Sequence, residues 1–153
     1  MKKLQIKKYE DKYHKQFKKI SLDWLHAFNL YEKADDDLLD NPNKYLEKGS
    51  SIFLAHFNDE VIGTVSICPI STSVYEIMKL GVVDAYKGLG VGKKLMETCI
   101  NLCIEKEIKL ITLETSSKLK SAIKLYEKLG FIHVEIKDSY YESADVKMEL
   151  KLK

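Results

Sequence analysis

Arginine is absent from this chain of 153 residues, so each of its 25 basic side chains is a lysine. Lysine is a compact point charge without the planar fork that grips a phosphate or a base edge in two places, which argues against a sequence-reading nucleic-acid protein. Lysines crowd the start at Lys2, Lys3, Lys7, Lys8, Lys12, Lys15, Lys18 and Lys19. Glu10 and Asp11 interrupt them, and Tyr13, Phe17 and Ile20 recur at helical spacing, so the region reads as a solvated helix face above a core-facing stripe. Net charge is only +2, and no nucleic-acid partner is expected. Cysteine is scarce as well. The three thiols, Cys68, Cys99 and Cys103, are odd in number and argue against a disulfide framework. Cys99 and Cys103, four apart, fall on one apolar helix side, and no histidine pair completes a zinc set, so no metal is expected. No apolar run reaches the length of a membrane span. The opening Met-Lys-Lys turns polar at once, without the apolar core of a secretion signal. The expectation is a cytoplasmic protein without a membrane partner.

What is present suffices for one domain over residues 1–153: 45% apolar and 31% charged residues describe a globular chain with a substantial core. Leu4 and Ile6 alternate with polar neighbours as a short strand. Tyr13, Phe17, Ile20, Trp24, Leu25 and Phe28 follow at helical spacing. Asp35, Asp36 and Asp37 precede Leu38 and Leu39 as acidic residues do at a helix start, and Asn41-Pro42 opens a further turn through Tyr45 and Leu46. Residues 51–57 and 61–67, joined by Asn58-Asp59-Glu60, read as a hairpin, and 75–83 as a third strand. Later come a helix after Gly92, a buried strand over 109–114, an amphipathic helix through Leu129 closed by Gly130, a strand over 131–137 and a last one over 146–152. The class is mixed α/β with an open sheet.

The densest signal lies between Lys79 and Lys94, where an apolar strand gives way to Lys87-Gly-Leu-Gly-Val-Gly92 and then to a helical pattern of Val91, Leu95, Met96, Cys99 and Cys103. Glycines there let backbone N–H groups approach a ligand closely, and the first helical turn carries about half a positive charge, so an anion suits it. The spacing departs from GxxxxGK[ST], which excludes a P-loop, and GxGxG departs from the dinucleotide fingerprint GxGxxG. The glycines are also compatible with a tight strand-to-helix turn alone.

Taken in order, the strand before this turn, the turn itself and Ala122-Ile-Lys-Leu-Tyr-Glu-Lys-Leu-Gly-Phe131 resemble the GCN5-related N-acetyltransferases, known as GNAT enzymes, over essentially the whole chain. The family turn is [QR]xxGx[GA], with lysine here at its head. The resemblance implies a mixed, mostly antiparallel central sheet flanked by helices and splayed at the cofactor strand. It implies acetyl-CoA as cofactor, with its pyrophosphate on the turn formed by Lys87, Gly88, Leu89, Gly90, Val91, Gly92 and Lys93. Its pantetheine arm would pair with the strand edge Leu80, Gly81 and Val82. Leu119 stands where the family often has asparagine, leaving a nearby hydroxyl such as that of Ser117 to hold the arm.

The same resemblance implies three catalytic roles. The backbone N–H of Leu80 would face the thioester carbonyl. Glu76, expected by strand alternation on the same face as Met78 and Leu80, would take a proton from the amine. Tyr126, the tyrosine of the LYxxxGF pattern, would protonate the leaving thiolate and border the cofactor. The acceptor wall is expected at Trp24, Phe28, Tyr31, Asp35 to Asp37, Glu76, Tyr140 and Tyr141, aromatic and acidic groups suited to a cationic amine. The function implied is acetyl transfer from acetyl-CoA to a primary amine of a small molecule or peptide, the alternative being a non-catalytic acyl-CoA sensor. A monomer or a homodimer fits equally.

Overall fold

The computed structural model describes residues 3–153. Seven strands form one sheet: β1 (Leu4–Lys8), β2 (Ser51–Phe57), β3 (Glu60–Pro69), β4 (Val74–Val82), β5 (Leu110–Thr115), β6 (Ile132–Val134) and β7 (Val146–Lys151). Their spatial order is β1-β2-β3-β4-β5-β7-β6. The helices are α1 (His14–Ala27), α2 (Asp36–Asp40), α3 (Pro42–Glu47), α4 (Val91–Glu105) and α5 (Lys120–Lys128). Only β4 and β5 run parallel, joined by the crossover through α4; the other neighbours are antiparallel.

The β2–β3 hairpin closes tightly because Asn58 and Asp59 both adopt left-handed backbone, φ 51° and 67°, a conformation that suits the twist of paired strands and that Asn and Asp tolerate. Strand β3 runs longer than the sequence pattern suggests, to Pro69. Strand β6 is shorter than the expected 131–137: Phe131 leaves the sheet to pack beneath Tyr126, with ring centroids 6.0 Å apart.

Side chains divide cleanly between the two faces. Val65, Ile67, Ile77, Ile111, Leu113 and Met148 meet Leu95, Met96 and Cys99 of α4. Ile52 and Leu54 meet Phe17, Leu38 and Leu39 from α1 and α2. This is the burial that the helical periodicity of α1 and α4 requires.

Two irregularities of β4 create the site. Opposite β3, Gly81 pairs with Thr64 and Met78 with Ser66, so Lys79 and Leu80 together face Val65 alone, a bulge. Lys79 takes the left-handed conformation there, φ 55°. On its other side β4 pairs with β5 only from Val74 to Ile77, opposite Leu110 to Leu113. Beyond Ile77 the strands diverge, which leaves one backbone edge of Met78 to Val82 without a strand partner. The splay expected at this strand is present.

The bulge corrects one expectation. Met78 packs with the α1 face, whereas Leu80 packs with the α4 face. The extra residue inverts the alternation after Met78, so Leu80 does not share a face with Glu76.

Candidate active site

At the mouth of the splay, Gly88 and Gly90 have φ of 80° and 83°, and a Cβ on either would meet no atom within 4 Å. Their glycines are therefore a matter of backbone conformation, with open space above them. Gly92 is different: a Cβ there would stand 3.4 Å from Leu125, so it permits α4 and α5 to approach. Gly90 caps α4 without any side-chain hydrogen bond. The first helical bond runs from Lys94 N to Gly90 O, 3.1 Å, leaving the N–H groups of Val91, Gly92 and Lys93 without acceptors inside the helix. An uncapped amide row under open space at a helix N-terminus fits the diphosphate of coenzyme A. Lys87 and Leu89 are exposed on the turn; the Lys87 ammonium lies 2.8 Å from Asp84 and 5.7 Å from the Phe28 ring centroid.

Just before the splay, where β4 is still paired on both sides, Glu76 sits across from Cys68 of β3 and Thr112 of β5. Burial pushes its carboxyl above the usual range, and the charge of Glu114 adds to the effect. Two cavities meet at Glu76, Met78, Glu114 and Tyr141, which line both. The smaller, about 80 Å³, also touches Trp24, Lys79 and Leu119 beside the bulge. The larger, about 300 Å³, is bounded by Tyr45, Cys68 and Tyr140. The arrangement is a pair of adjoining cavities beside the start of the splayed edge of β4, with two carboxyl groups, Glu76 and Glu114, on their shared wall.

Of the expected acceptor wall, Trp24, Asp35, Glu76, Tyr140 and Tyr141 line these cavities, while Phe28, Tyr31, Asp36 and Asp37 do not. The Tyr31 hydroxyl donates to Asp36, 2.7 Å away, and its ring packs on His26. Phe28 lies toward the glycine turn, near Lys87. Trp24 covers Gly81 so closely that a Cβ there would lie 2.4 Å from the indole Nε1, and that nitrogen is buried without a hydrogen-bond partner. Ser117 is exposed, and its hydroxyl donates to Asp145 at 2.7 Å, which leaves its oxygen lone pairs as acceptors. Tyr126 is buried on α5, and desolvation raises its hydroxyl pKa well above that of free tyrosine.

Three sets of contacts were not legible in the sequence. Lys79 and Asp35 form a buried ion pair, their side chains 6% and 3% exposed, with the Lys79 ammonium 4.4 Å from the Tyr141 ring centroid. Glu114 accepts a hydrogen bond from the Ser139 hydroxyl at 2.5 Å. Glu32 accepts from the backbone N–H of Glu142 and Ser143, at 2.9 and 2.7 Å, which binds the segment after β6 to the segment after α1. Lys79 had one visible signal, a charge between Met78 and Leu80 in an otherwise apolar strand. Glu32 and Glu114 had none, because their partners lie far away in sequence.

A splayed parallel strand pair with an uncapped glycine turn at its mouth is the arrangement that the resemblance to GNAT enzymes implied. The profile of the Acetyltransferase (GNAT) family matches residues 11–131, and the chain belongs to that family. Acetyl-CoA is the family's cofactor and so the cofactor of this chain. An uncharacterized N-acetyltransferase of Escherichia coli K12, YjgM, is 33% identical over 114 residues, 72% of this chain and 68% of the relative. N-alpha-acetyltransferase 50 of Danio rerio is 37% identical over 103 residues, 63% of this chain and 60% of the relative. The chain thus spans about two thirds or less of these relatives' length. A GNAT-family acetyltransferase from Staphylococcus aureus Mu50 superposes with a TM-score of 0.91 at 26% identity, covering 99% of this chain and 100% of that one. The PaiA N-acetyltransferase of Thermoplasma acidophilum, crystallised with coenzyme A, has the same fold at a TM-score of 0.81 and 16% identity, over 98% and 99% of the two chains. Among the described residues no helix is long and apolar enough to cross a membrane, and no cluster of metal-ligating side chains occurs.

Proposed function

We propose that this protein is an N-acetyltransferase that moves the acetyl group of acetyl-CoA to a primary amine of a small molecule or peptide, by direct transfer in a ternary complex. The observation that carries the reading is the unpaired edge of β4 from Met78 to Val82, lying between the uncapped turn and a cavity lined by Glu76 and Glu114. Bound acetyl-CoA supplies an activated acyl group as a thioester. The amides of Leu89 to Lys93 hold its diphosphate, Lys87 adds a point charge, and Leu80, Gly81 and Val82 offer backbone partners to the pantetheine arm. The Leu80 N–H would face the thioester oxygen and stabilise negative charge there.

Glu76 takes the proton. An alkylammonium has a pKa near 10 and must lose its proton before its nitrogen can attack, and a carboxylate raised by burial is a better proton acceptor than an exposed one. Tyr126, protonated at neutral pH like any tyrosine, gives a proton to the departing thiolate; burial raises its pKa and so makes that proton harder to release, which the basicity of the thiolate has to offset. Trp24, Tyr140 and Tyr141 line the acceptor cavities. The N-alpha-acetyltransferase relative supports including peptide N-termini among the acceptors. A cytoplasmic setting accords with the three free, buried thiols.

The test is release of free thiol from acetyl-CoA in the presence of polyamines, amino acids, aminoglycosides and peptides with free N-termini. At least one class should release thiol in proportion to acetylated product. Tight acetyl-CoA binding without thiol release across the whole panel would overturn the reading in favour of an acyl-CoA sensor.

A further inference from the structure

Lys79 occupies an unusual place in this site: an L-residue in left-handed backbone, φ 55°, whose side chain is almost fully buried. Such a conformation is costly for a residue with a Cβ and persists where the surroundings over-determine it. Here the surroundings are specific. The ammonium is bonded to Asp35 and stands over the Tyr141 ring at 4.4 Å. Asp35 is itself fixed, accepting the Glu32 backbone N–H at 2.8 Å, and Glu32 in turn holds Ser143 N–H at 2.7 Å. The bulge of β4, the turn after α1 and the segment leading into β7 are thus tied together at one cation.

A buried ion pair is seldom more stabilising than an apolar pair of equal volume, because both charges must leave water. Its distinctive effect is geometric. The planar peptide that carries the Leu80 N–H is bonded directly to the Lys79 Cα, so the Lys79 dihedrals set the direction of that donor. We propose that Lys79 is a positioning residue of the transfer reaction: through Asp35 and Tyr141 it holds the bulge that aims the Leu80 amide, and it fixes Tyr141 on the wall of the acceptor cavities. The proposal rests on the transfer reading above for its catalytic consequence.

The experiment compares Lys79→Arg, Lys79→Met and the double variant Lys79→Met with Asp35→Leu, which strands no buried charge. Acetyl-CoA affinity, kcat on the best amine of the panel and the amide NMR shift of Leu80 with acetyl-CoA against coenzyme A are measured. The double variant is expected to fold and bind acetyl-CoA within about twofold of wild type while kcat falls about 10- to 100-fold, as misplacement of a reacting geometry does. The acetyl-dependent shift of the Leu80 amide should disappear with it, and Lys79→Arg, which keeps the pair, should retain both. A double variant with wild-type turnover and wild-type Leu80 shift overturns the proposal. So does one that does not fold, since the pair would then be a stability element. Absence of thiol release by the wild type with every amine would sink the transfer reading alone, because the Leu80 shift is read without turnover.

Discussion

Glu76 has opposite consequences for stability and for chemistry. Burial, with Glu114 nearby, raises its folded pKa above an unfolded value of about 4.3. Between those two values the native state binds more protons than the unfolded one, so this contribution to stability is complete at low pH and is lost as pH rises through the folded pKa. Glu76→Gln should therefore melt at a higher temperature than wild type at pH 7, with the gap closing below about pH 4. In activity the same variant should lose the limb of kcat/KM that rises with pH as Glu76 deprotonates. A profile of unchanged shape would remove Glu76 as the base. For Tyr126→Phe, which deletes only a hydroxyl, we expect kcat to fall by about 10- to 1000-fold with little change in acetyl-CoA affinity, in line with general-acid contributions. Unchanged turnover would leave Tyr126 a core residue. The place of Glu76 on a strand and of Tyr126 on a buried helix face was legible in the sequence, whereas the face of Leu80 relative to Glu76 was not. Nor was the burial of Lys79, because a lysine in a strand gives no sign in sequence of the aspartate 44 residues away that buries it.

At the scale of elements, the glycines of β4 and of the turn do different work. Gly81 accommodates Trp24, and a Cβ would stand 2.4 Å from its indole nitrogen. Gly81→Ala should thus force α1 away from the sheet and destabilise the fold by about 1–3 kcal/mol, with a raised KM for the acceptor, measured by thermal melts and steady-state kinetics. Gly90 meets no such neighbour; its demand is conformational. Gly90→Val should cost about 1–2 kcal/mol of left-handed strain and weaken coenzyme A binding measured by calorimetry, while α4 stays intact by circular dichroism. The turn, α4 and α5 could be placed from sequence because glycine spacing and helical periodicity are local signals. The bulge could not. It depends on how Val65 is shared between two residues of the opposite strand, and with it went the face assignment of Leu80.

For the whole molecule, the segment between β6 and β7 is held by side chains from three elsewhere-rooted elements. Glu32 binds Glu142 and Ser143, Glu114 accepts from Ser139, and Asp145 accepts from Ser117. Glu32→Ala should loosen this strap without touching the cofactor cradle. The expected result is faster amide exchange over residues 139–145 and a higher acceptor KM at unchanged acetyl-CoA affinity. Equal exchange in variant and wild type would show that the other clasps suffice.

The sequence alone determined what depends on neighbours in the chain: the glycine turn opening a helix, the hairpin at Asn58-Asp59, the apolar stripes of α1 and α4, and the placement of Glu76 on a strand and Tyr126 on a buried helix face. Backbone dihedral preference and hydrophobic periodicity act over a few residues and leave readable patterns. Only the tertiary structure decided which acceptor-wall aromatics reach the cavities, which excludes Phe28 and Tyr31, and that Ser117 is already bonded to Asp145. It alone brought Lys79 to Asp35 and Tyr141. Those outcomes follow from contacts across the sheet and between loops, where the partner of a buried charge is fixed by packing and not by spacing along the chain.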